Sequence, residues 1–190
     1  MIIERIQQAI ELKKQLLNDE ALLSRIQDAA GLIVKAYQSG NKTLFCGNGG
    51  SAADAQHLAA ELSGKFYIDR PPLHAEACHV NSSFMTAVSN DYGFERAYAR
   101  YINAVGKKGD VLVAISTSGN SENVVQAISQ AREIGFSCIV LSGSTGGRMA
   151  EKADLLINVP SDDTPRVQEL HILIGHIICE LVENELFGKG

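Results

Sequence analysis

A histidine and a glutamate four residues apart are the first residues in this 190-residue chain whose types and spacing could do chemistry. They are His57 and Glu61, and they lie in a segment that the sequence pattern predicts to be helical. Residues four apart on a helix share one face, so this imidazole and this carboxylate can converge on one substrate or one metal ion. A solvated polar helix face is the plain alternative for the pair.

A second group of polar residues interrupts the apolar segment near the end of the chain. Its members are Gln168, Glu169, His171 and His176. In a helix, Glu169 and His176 lie on nearly one stripe, whereas Gln168 and His176 are separated by about 80° at ~100° per residue. A lone histidine in such a segment is more often a core residue than a ligand. Spacing alone therefore does not choose among these residues, and it does not show that they meet His57 and Glu61.

A glycine-rich loop, GNGGSA at residues 47–52, joins the first predicted strand to the helix with the His/Glu pair. Gly47, Gly49 and Gly50 allow the backbone to approach a ligand closely. Ser51 is placed to cap the helix, whose free N–H groups attract an anion. The loop also matches the dinucleotide fingerprint G-x-G-x-x-A, but the second predicted strand does not end in the acidic residue that binds a ribose hydroxyl. The sequence therefore favours an anion site over dinucleotide binding, with a tight turn without ligand as the alternative.

A hydroxyl-rich loop, STSGNS at residues 116–121, follows an unbroken apolar strand and precedes another helix. Its hydroxyl-bearing residues are Ser116, Thr117, Ser118 and Ser121. One hydroxyl would suffice to cap the helix, and the larger set suits the several acceptor oxygens of a phosphate. No lysine follows as it does in a P-loop, which argues against a nucleoside triphosphate. We predict that this loop binds a phosphomonoester.

Apolar strands alternate with helices along the chain, in the order typical of a parallel α/β sheet. The predicted strands cover residues 42–46, 73–80, 111–116, 137–141 and 155–159. Two helices within residues 2–39 precede them, a turn is expected at 90–93, and a long C-terminal helix is expected over 165–186. The pattern predicts one α/β domain over 1–190 with a doubly wound, five-stranded parallel sheet. Right-handed crossovers then bring both ligand loops to the carboxyl edge of the sheet.

Composition excludes several functional classes. The net charge of -5 and the absence of a basic stripe argue against non-specific nucleic-acid binding. The four cysteines form no CxxC pair, so we expect free thiols in a reduced, cytosolic protein. The N-terminus lacks the apolar core of a signal peptide, and the most apolar segment, 170–182, is too short and polar to span a membrane. We therefore expect a cytoplasmic protein without membrane association.

Four separated motifs together resemble the phosphoheptose isomerases of the SIS domain superfamily. They are CGNGGSAADAQHLAAELSGK, SNDYGF, DVLVAISTSGNSENV and PSDDTPRVQELHILIGH. The resemblance implies a flavodoxin-like three-layer SIS fold and an enzyme that converts sedoheptulose 7-phosphate to D-glycero-D-manno-heptose 7-phosphate. In this family the reaction is the first step toward the heptose of lipopolysaccharide or capsule. It also implies a cytoplasmic homotetramer with sites built between subunits, in which residues 1–40 serve in subunit packing.

The resemblance also assigns roles to individual residues. It implies that Asn48, Gly49 and Gly50 line the sugar-phosphate site, that Asn90 and Asp91 contact the sugar, and that the four hydroxyl residues of the STSGNS loop hold the phosphate. It further implies a catalytic base and its acid partner, Glu61 and His176, with Gln168 beside them and His176 supplied by a neighbouring subunit. Some members of the family bind one zinc ion through the residues that match His57, Glu61, Gln168 and His176. The chain departs from the family pattern at Pro165, where relatives carry a small or acidic residue.

Two alternative functions are consistent with the same motifs. A non-catalytic SIS protein that binds a replication initiator would resemble this chain along its length, but such relatives lack the residues that match Glu61 and His176. An isomerase or sensor for another phosphosugar would carry similar loops. In an isomerase, a carboxylate and an imidazole can move protons through an enediol(ate). A glutamate bound to zinc is a poorer base, so the two roles of Glu61 compete.

Overall fold

The computed structural model describes residues 1–188, which contain a five-stranded parallel sheet. The strands are β1 Thr43–Cys46, β2 Ala75–Ala77, β3 Val111–Ser116, β4 Ser137–Ser142 and β5 Leu155–Asn158. They lie in the order β2–β1–β3–β4–β5, and every neighbouring pair is parallel. This is the flavodoxin-like strand order, so the predicted doubly wound α/β fold is confirmed.

Helices cover both faces of the sheet. They are α1 Ile2–Leu17, α2 Glu20–Gln38, α3 Gly50–Ser63, α4 Ser82–Tyr92, α5 Ala97–Val105, α6 Glu122–Ile134 and α7 Thr164–Phe187. Alternate residues of a strand point to opposite faces, and Leu44 and Phe45 of β1 accordingly lie in two separate cores. One core is built with α2, α3 and α7, and the other with α5 and α6.

The central strands β1 and β3 form the topological switch point of the sheet. The helix after β1 packs into one core, and the helix after β3 packs into the other. At the opposite end of these strands, Asp110 accepts hydrogen bonds from the backbone N–H groups of Lys42 at 3.0 Å and Lys107 at 2.9 Å. The buried Asp110 carboxylate also pairs with the Lys42 ammonium at 2.5 Å. The loops after β1 and β3 lie at the other, carboxyl end of these strands, which is the edge where α/β proteins bind ligands.

Several predicted boundaries are wrong by a few residues. The second strand is three residues long instead of covering 73–80. The expected turn at 90–93 belongs largely to α4, which continues through Tyr92 and ends at Gly93 with a φ of 89°. Asparagine and aspartate favour turns, but here the glycine in the left-handed region supplies the stop.

The predicted cysteine state is confirmed. All four cysteines are free and buried. Burial raises the pKa of the Cys138 and Cys179 thiols to about 12, so these side chains behave as small apolar core residues. Among the described residues, no helix has both the length and the apolar character needed to cross a membrane.

Candidate functional site

Three side chains from two helices, α3 and α7, converge in one cluster. His57 and Glu61 of α3 are 3.1 Å apart between Nε2 and Oε1, and His176 of α7 places its Nε2 3.0 Å from that of His57. One ligand atom from each of the three residues lies within 4.8 Å of the others. The prediction that His57 and Glu61 share a face is confirmed, and the structure adds His176 to them.

The donor set of this His–Glu–His cluster fits a divalent metal ion. Two imidazole nitrogens and one carboxylate oxygen are ligands that zinc accepts, and three protein ligands leave a coordination position for substrate. The cluster is reachable from solvent, because the side chains of His57 and Glu61 are 49% and 26% exposed. The arrangement therefore suits either metal binding or proton transfer to a bound molecule.

His176 belongs to the same chain as His57 and Glu61. The expectation that a neighbouring subunit supplies it is therefore wrong. The reason is the packing of α3 against α7 on one face of the sheet, which brings the two ends of the sequence together within one subunit.

A buried carboxylate holds the chain segment that follows α3 against α7. Glu183 accepts hydrogen bonds from the backbone N–H groups of Phe66, Tyr67 and Ile68 at 2.6–2.9 Å and from Arg70 Nε at 2.8 Å. Burial raises the pKa of Glu183, but these donors outweigh it and hold the pKa at about 2. The Phe66 ring lies 5.8 Å from the His176 ring, so this segment forms part of the wall of the cluster.

Arg70, which pairs with Glu183, also contacts the end of α3. Its guanidinium donates to the carbonyl oxygens of Glu61 at 3.0 Å and Leu62 at 2.9 Å. Both Arg70 and Glu183 have side chains that are only 1% exposed. The pair therefore links the helix that carries Glu61 to the helix that carries His176.

The glycine loop, residues 47–52, and the hydroxyl loop, residues 116–121, line one cavity of about 220 Å³ at the switch point. Its lining residues are Asn48, Ser51, Ile115, Ser116, Thr117, Ser118, Ser121, Thr164 and Gln168. The hydroxyls of Ser116 and Ser121 lie 3.0 Å apart, and Asn120 donates its backbone N–H to Ser118 Oγ at 3.2 Å. All four predicted phosphate-binding hydroxyl residues are therefore together. A larger open cleft lies on α5 and α6, and its lining contains none of the candidate residues.

Gln168 is the residue of the C-terminal polar group that faces this cavity. A Cβ atom at Gly50 would lie 2.3 Å from Gln168 Nε2, so the glycine permits the close approach of α7 to the loop. Glu169 instead pairs with Arg166 at 2.5 Å. His171 is fully buried, and burial lowers its pKa to about 4. The structure thus separates the four residues that spacing left equivalent.

The prediction that Ser51 caps α3 is wrong, because Gly49 and Gly50 shape the first loop differently. The N-cap of α3 is Gly49, whose φ of 56° closes the turn early, and the helix already begins at Gly50. Ser51 is therefore inside the first turn and makes no capping hydrogen bond. It lines the cavity instead, beside Asn48.

Asn90 and Asp91 are not brought to the cavity within this chain. They lie on the exposed C-terminal turn of α4, where the Asn90 amide donates to Asp91 Oδ1 at 2.9 Å. Their predicted contact with the sugar stays a prediction.

Sequence reasoning missed several residues around the site. They are Asp54, Phe66, Tyr98, Asn123 and Thr164. Asp54 lies one turn before His57, and burial raises the pKa of its carboxyl against the opposing influence of His57 and His176. Its Oδ2 atom is buried without a hydrogen-bond partner. The spacing of three residues from His57 was an available signal for Asp54, whereas the others reach the site through tertiary packing.

Comparison with known proteins identifies the family of this chain. The SIS domain family profile matches residues 6–143. Phosphoheptose isomerase 2 of Campylobacter jejuni is 53% identical to this chain, over 96% of this chain and 90% of its own length. The phosphoheptose isomerase of Clostridium acetobutylicum is 49% identical, over 97% and 94% of the two chains.

Two solved phosphoheptose isomerase structures share the fold of this chain. A phosphoheptose isomerase from Neisseria gonorrhoeae has a TM-score of 0.90 at 40% identity and covers 96% of this chain and 97% of its own. One from Francisella tularensis has a TM-score of 0.92 at 35% identity, with 96% of both chains covered. The chain belongs to the SIS domain family. Within that family it groups with the phosphoheptose isomerases, and it is an enzyme.

Proposed function

We propose that this enzyme converts sedoheptulose 7-phosphate to D-glycero-D-manno-heptose 7-phosphate. The observation that carries the proposal is the convergence of Glu61 and His176 on α3 and α7, the same helices that contribute Ser51 and Gln168 to the hydroxyl-lined cavity.

The hydroxyl loop holds the phosphate in this proposal. Ser116, Thr117, Ser118 and Ser121 offer hydrogen-bond donors to its oxygens at the N-terminus of α6, where the helix dipole also favours negative charge. Asn48, Gly49, Gly50 and Gln168 border the sugar. The Asn90 and Asp91 contacts with the sugar would be made across a subunit interface, since these residues are exposed and lie away from the cavity of their own chain.

Glu61 and His176 move the protons. Glu61 takes a proton from C1 of the ketose, and the electron pair of that C–H bond forms the C1–C2 double bond of an enediol(ate). His176 donates a proton to the oxygen on C2 and accepts the proton from the hydroxyl on C1. Glu61 then returns its proton to C2, which leaves an aldehyde at C1. No atom is gained or lost.

A zinc ion is the cofactor that the site residues fit. His57, Glu61 and His176 would hold it, and we propose Gln168 of α7 as a fourth ligand. Zinc would supply Lewis-acid polarisation of the substrate carbonyl. Glu61 would then be both a zinc ligand and the base. A carboxylate bound to zinc is a poorer base, so the two roles compete.

The setting of the reaction follows from the family. We propose that the product enters heptose synthesis for lipopolysaccharide or capsule, in the cytoplasm, and that the enzyme is a homotetramer. The presence of Glu61 and His176 disfavours a non-catalytic protein that binds a replication initiator. Substrate profiling separates the heptose phosphate from another phosphosugar.

Replacing the acid–base pair tests the proposal. Glu61→Gln and His176→Gln should each lower turnover of sedoheptulose 7-phosphate by about 10²–10⁴-fold, because each removes a proton-transferring group. Competitive inhibition by inorganic phosphate should persist, since the hydroxyl loop is unchanged. Glu169→Gln is the matched control on α7 and should keep wild-type turnover, because Glu169 pairs with Arg166 outside the cavity. Normal turnover in either site variant would contradict the proposal.

A further inference from the structure

Two asparagine side chains connect the glycine loop to the helix that follows the hydroxyl loop. Asn48 Nδ2 donates to Asn123 Oδ1 at 2.8 Å, and Asn123 Nδ2 donates to Asn48 Oδ1 at 2.9 Å. Asn123 is 3% exposed and lies in the first turn of α6. The reciprocal pair therefore spans the switch point beneath the cavity that Asn48 lines.

The backbone of α6 indicates which way round the Asn123 amide lies. The Val124 N–H is shared between the Ser121 carbonyl oxygen and Asn123 Oδ1, each at 3.0 Å. A backbone N–H can only donate, so the atom facing it must be the oxygen of the Asn123 amide. That oxygen also faces Asn48, which must therefore present its nitrogen to it. The orientation of Asn48 is thus set from α6.

Tyr98 of α5 holds the backbone of the glycine loop. Its hydroxyl is 2.6 Å from the Gly47 carbonyl oxygen, to which it donates, and 3.3 Å from Asn48 Oδ1. Tyr98 is 2% exposed, and burial raises its pKa, which keeps the hydroxyl protonated. The glycine loop is therefore tied at its backbone as well as at the Asn48 side chain.

Asn48 keeps one amide proton that Asn123 does not use. The amide oxygen accepts from Asn123, and one of the two amide protons is donated to Asn123. The second amide proton is available, so Asn48 can donate to a molecule in the cavity that it lines. Sugar hydroxyl, carbonyl and phosphate oxygens accept from such a group.

We infer that Asn123 is a positioning residue that fixes the Asn48 amide as a hydrogen-bond donor to the sugar phosphate. This inference rests on the proposed function for its ligand. Helix α6 would then both border the phosphate and orient the Asn48 amide on the glycine loop.

A double-mutant cycle tests the inference. Asn123→Leu removes both amide hydrogen bonds at similar volume and should lower kcat/KM for sedoheptulose 7-phosphate about tenfold, the factor of one hydrogen bond. In an Asn48→Ala background the same change should cost little, because its target is gone. Equal costs in both backgrounds would overturn the inference. Asn103→Leu, an exposed asparagine on α5, is the matched control and should keep wild-type kinetics.

Asn123→Ala provides a milder variant if Asn123→Leu fails to fold. It removes the same amide with a good helix former, and its effect on kcat/KM should also disappear in the Asn48→Ala background. Inhibition by inorganic phosphate should stay unchanged in Asn123→Ala, which separates loss of Asn48 orientation from collapse of the hydroxyl loop. An effect of Asn123→Ala that persists without the Asn48 amide would contradict the inference.

A readout without substrate keeps this inference separate from the proposed function. In ¹⁵N-labelled protein, the Asn48 side-chain amide signals are identified by their loss in Asn48→Ala. They should shift toward solvent-exposed values in Asn123→Leu, or in Asn123→Ala if Asn123→Leu does not fold. Unchanged signals would overturn the positioning role. Shifted signals in an enzyme that does not isomerise the heptose phosphate would uphold the positioning and reject the function.

Discussion

His171 is a buried histidine that stays neutral in the folded protein. Its ring has no exposed surface, and neither ring nitrogen has a hydrogen-bond partner. Burial lowers its pKa from 6.5 to about 4. The unfolded chain therefore takes up a proton at higher pH than the folded chain does. The contribution of His171 to stability is complete above pH 6.5 and is lost as the pH falls toward 4.

A pH series of unfolding measurements checks this role. Proton uptake by His171 in the unfolded chain should lower the free energy of unfolding by about 2 kcal/mol between pH 7.5 and pH 5. His171→Leu should flatten that dependence in urea titrations, whereas the exposed His74→Gln should leave it intact. An unchanged pH slope in His171→Leu would show that the buried ring is not responsible.

At the scale of residues, the sequence supported local pairs better than long-range ones. The four-residue spacing of His57 and Glu61 was sufficient to predict that they meet. Spacing did not distinguish Gln168 from Glu169, because the choice depends on which neighbour each side chain meets across the fold. Asn123 carried no local signal at all, since its partner lies 75 positions away.

The segment between α3 and β2, residues 64–74, is bound to both α3 and α7, and we call it the strap. Glu183 binds three consecutive backbone N–H groups of this segment, and Arg70 returns to the carbonyl oxygens at the end of α3. Because the pKa of Glu183 is lowered from 4.5 to about 2, its contribution to stability is fully present above pH 4.5. That contribution is lost as the pH falls toward 2.

Glu183→Gln tests the strap. Removing one partner of a buried ion pair leaves the other charge uncompensated, so the free energy of unfolding should fall by about 3 kcal/mol or more at neutral pH. Glu185→Gln, an exposed residue on the same helix, should change stability by less than about 0.5 kcal/mol. Chemical denaturation of both variants measures the difference, and equal stabilities would contradict the role of Glu183.

At the scale of elements, hydrophobic pattern predicted the strands and their carboxyl-end loops well. The buried runs of β3 and β4 are continuous and apolar, so their positions are hard to mistake. Boundaries failed where local preference competed with tertiary packing. The edge strand β2 is short, and α4 continues through two turn-forming residues until Gly93 ends it.

The first helix leaves a large apolar surface uncovered. Ile2, Ile3, Ile6 and Ile10 are 48–75% exposed, on a helix whose one buried residue is Leu16. Apolar side chains concentrated on one exposed helix are typical of interaction surfaces. This surface supports the proposal that residues 1–40 serve in subunit packing.

Charged substitutions on this helix test the proposed assembly. The wild-type protein should elute with the mass of a tetramer, and Ile6→Asp with Ile10→Asp should reduce that mass, because burying the new charges is costly. Lys13→Asp is exposed on the same helix and should leave the mass unchanged. Light scattering during gel filtration gives the masses. A monomeric wild-type protein would contradict the packing role of this surface.

At the scale of the whole molecule, the rules of α/β topology were sufficient to predict that the glycine loop and the hydroxyl loop meet. They could not show how α7 folds back, since its contacts with α3 depend on side-chain packing in the core. That packing is why His176 joins His57 and Glu61 within one chain.

Isomerisation of sedoheptulose 7-phosphate in D₂O is the most direct measurement of the central proposal. Purified enzyme should produce D-glycero-D-manno-heptose 7-phosphate that carries deuterium at C2, because the base exchanges its proton with solvent before returning it. NMR identifies both the product and the labelled carbon. Binding of the heptose phosphate without conversion, or conversion only of a different phosphosugar, would contradict the proposed reaction.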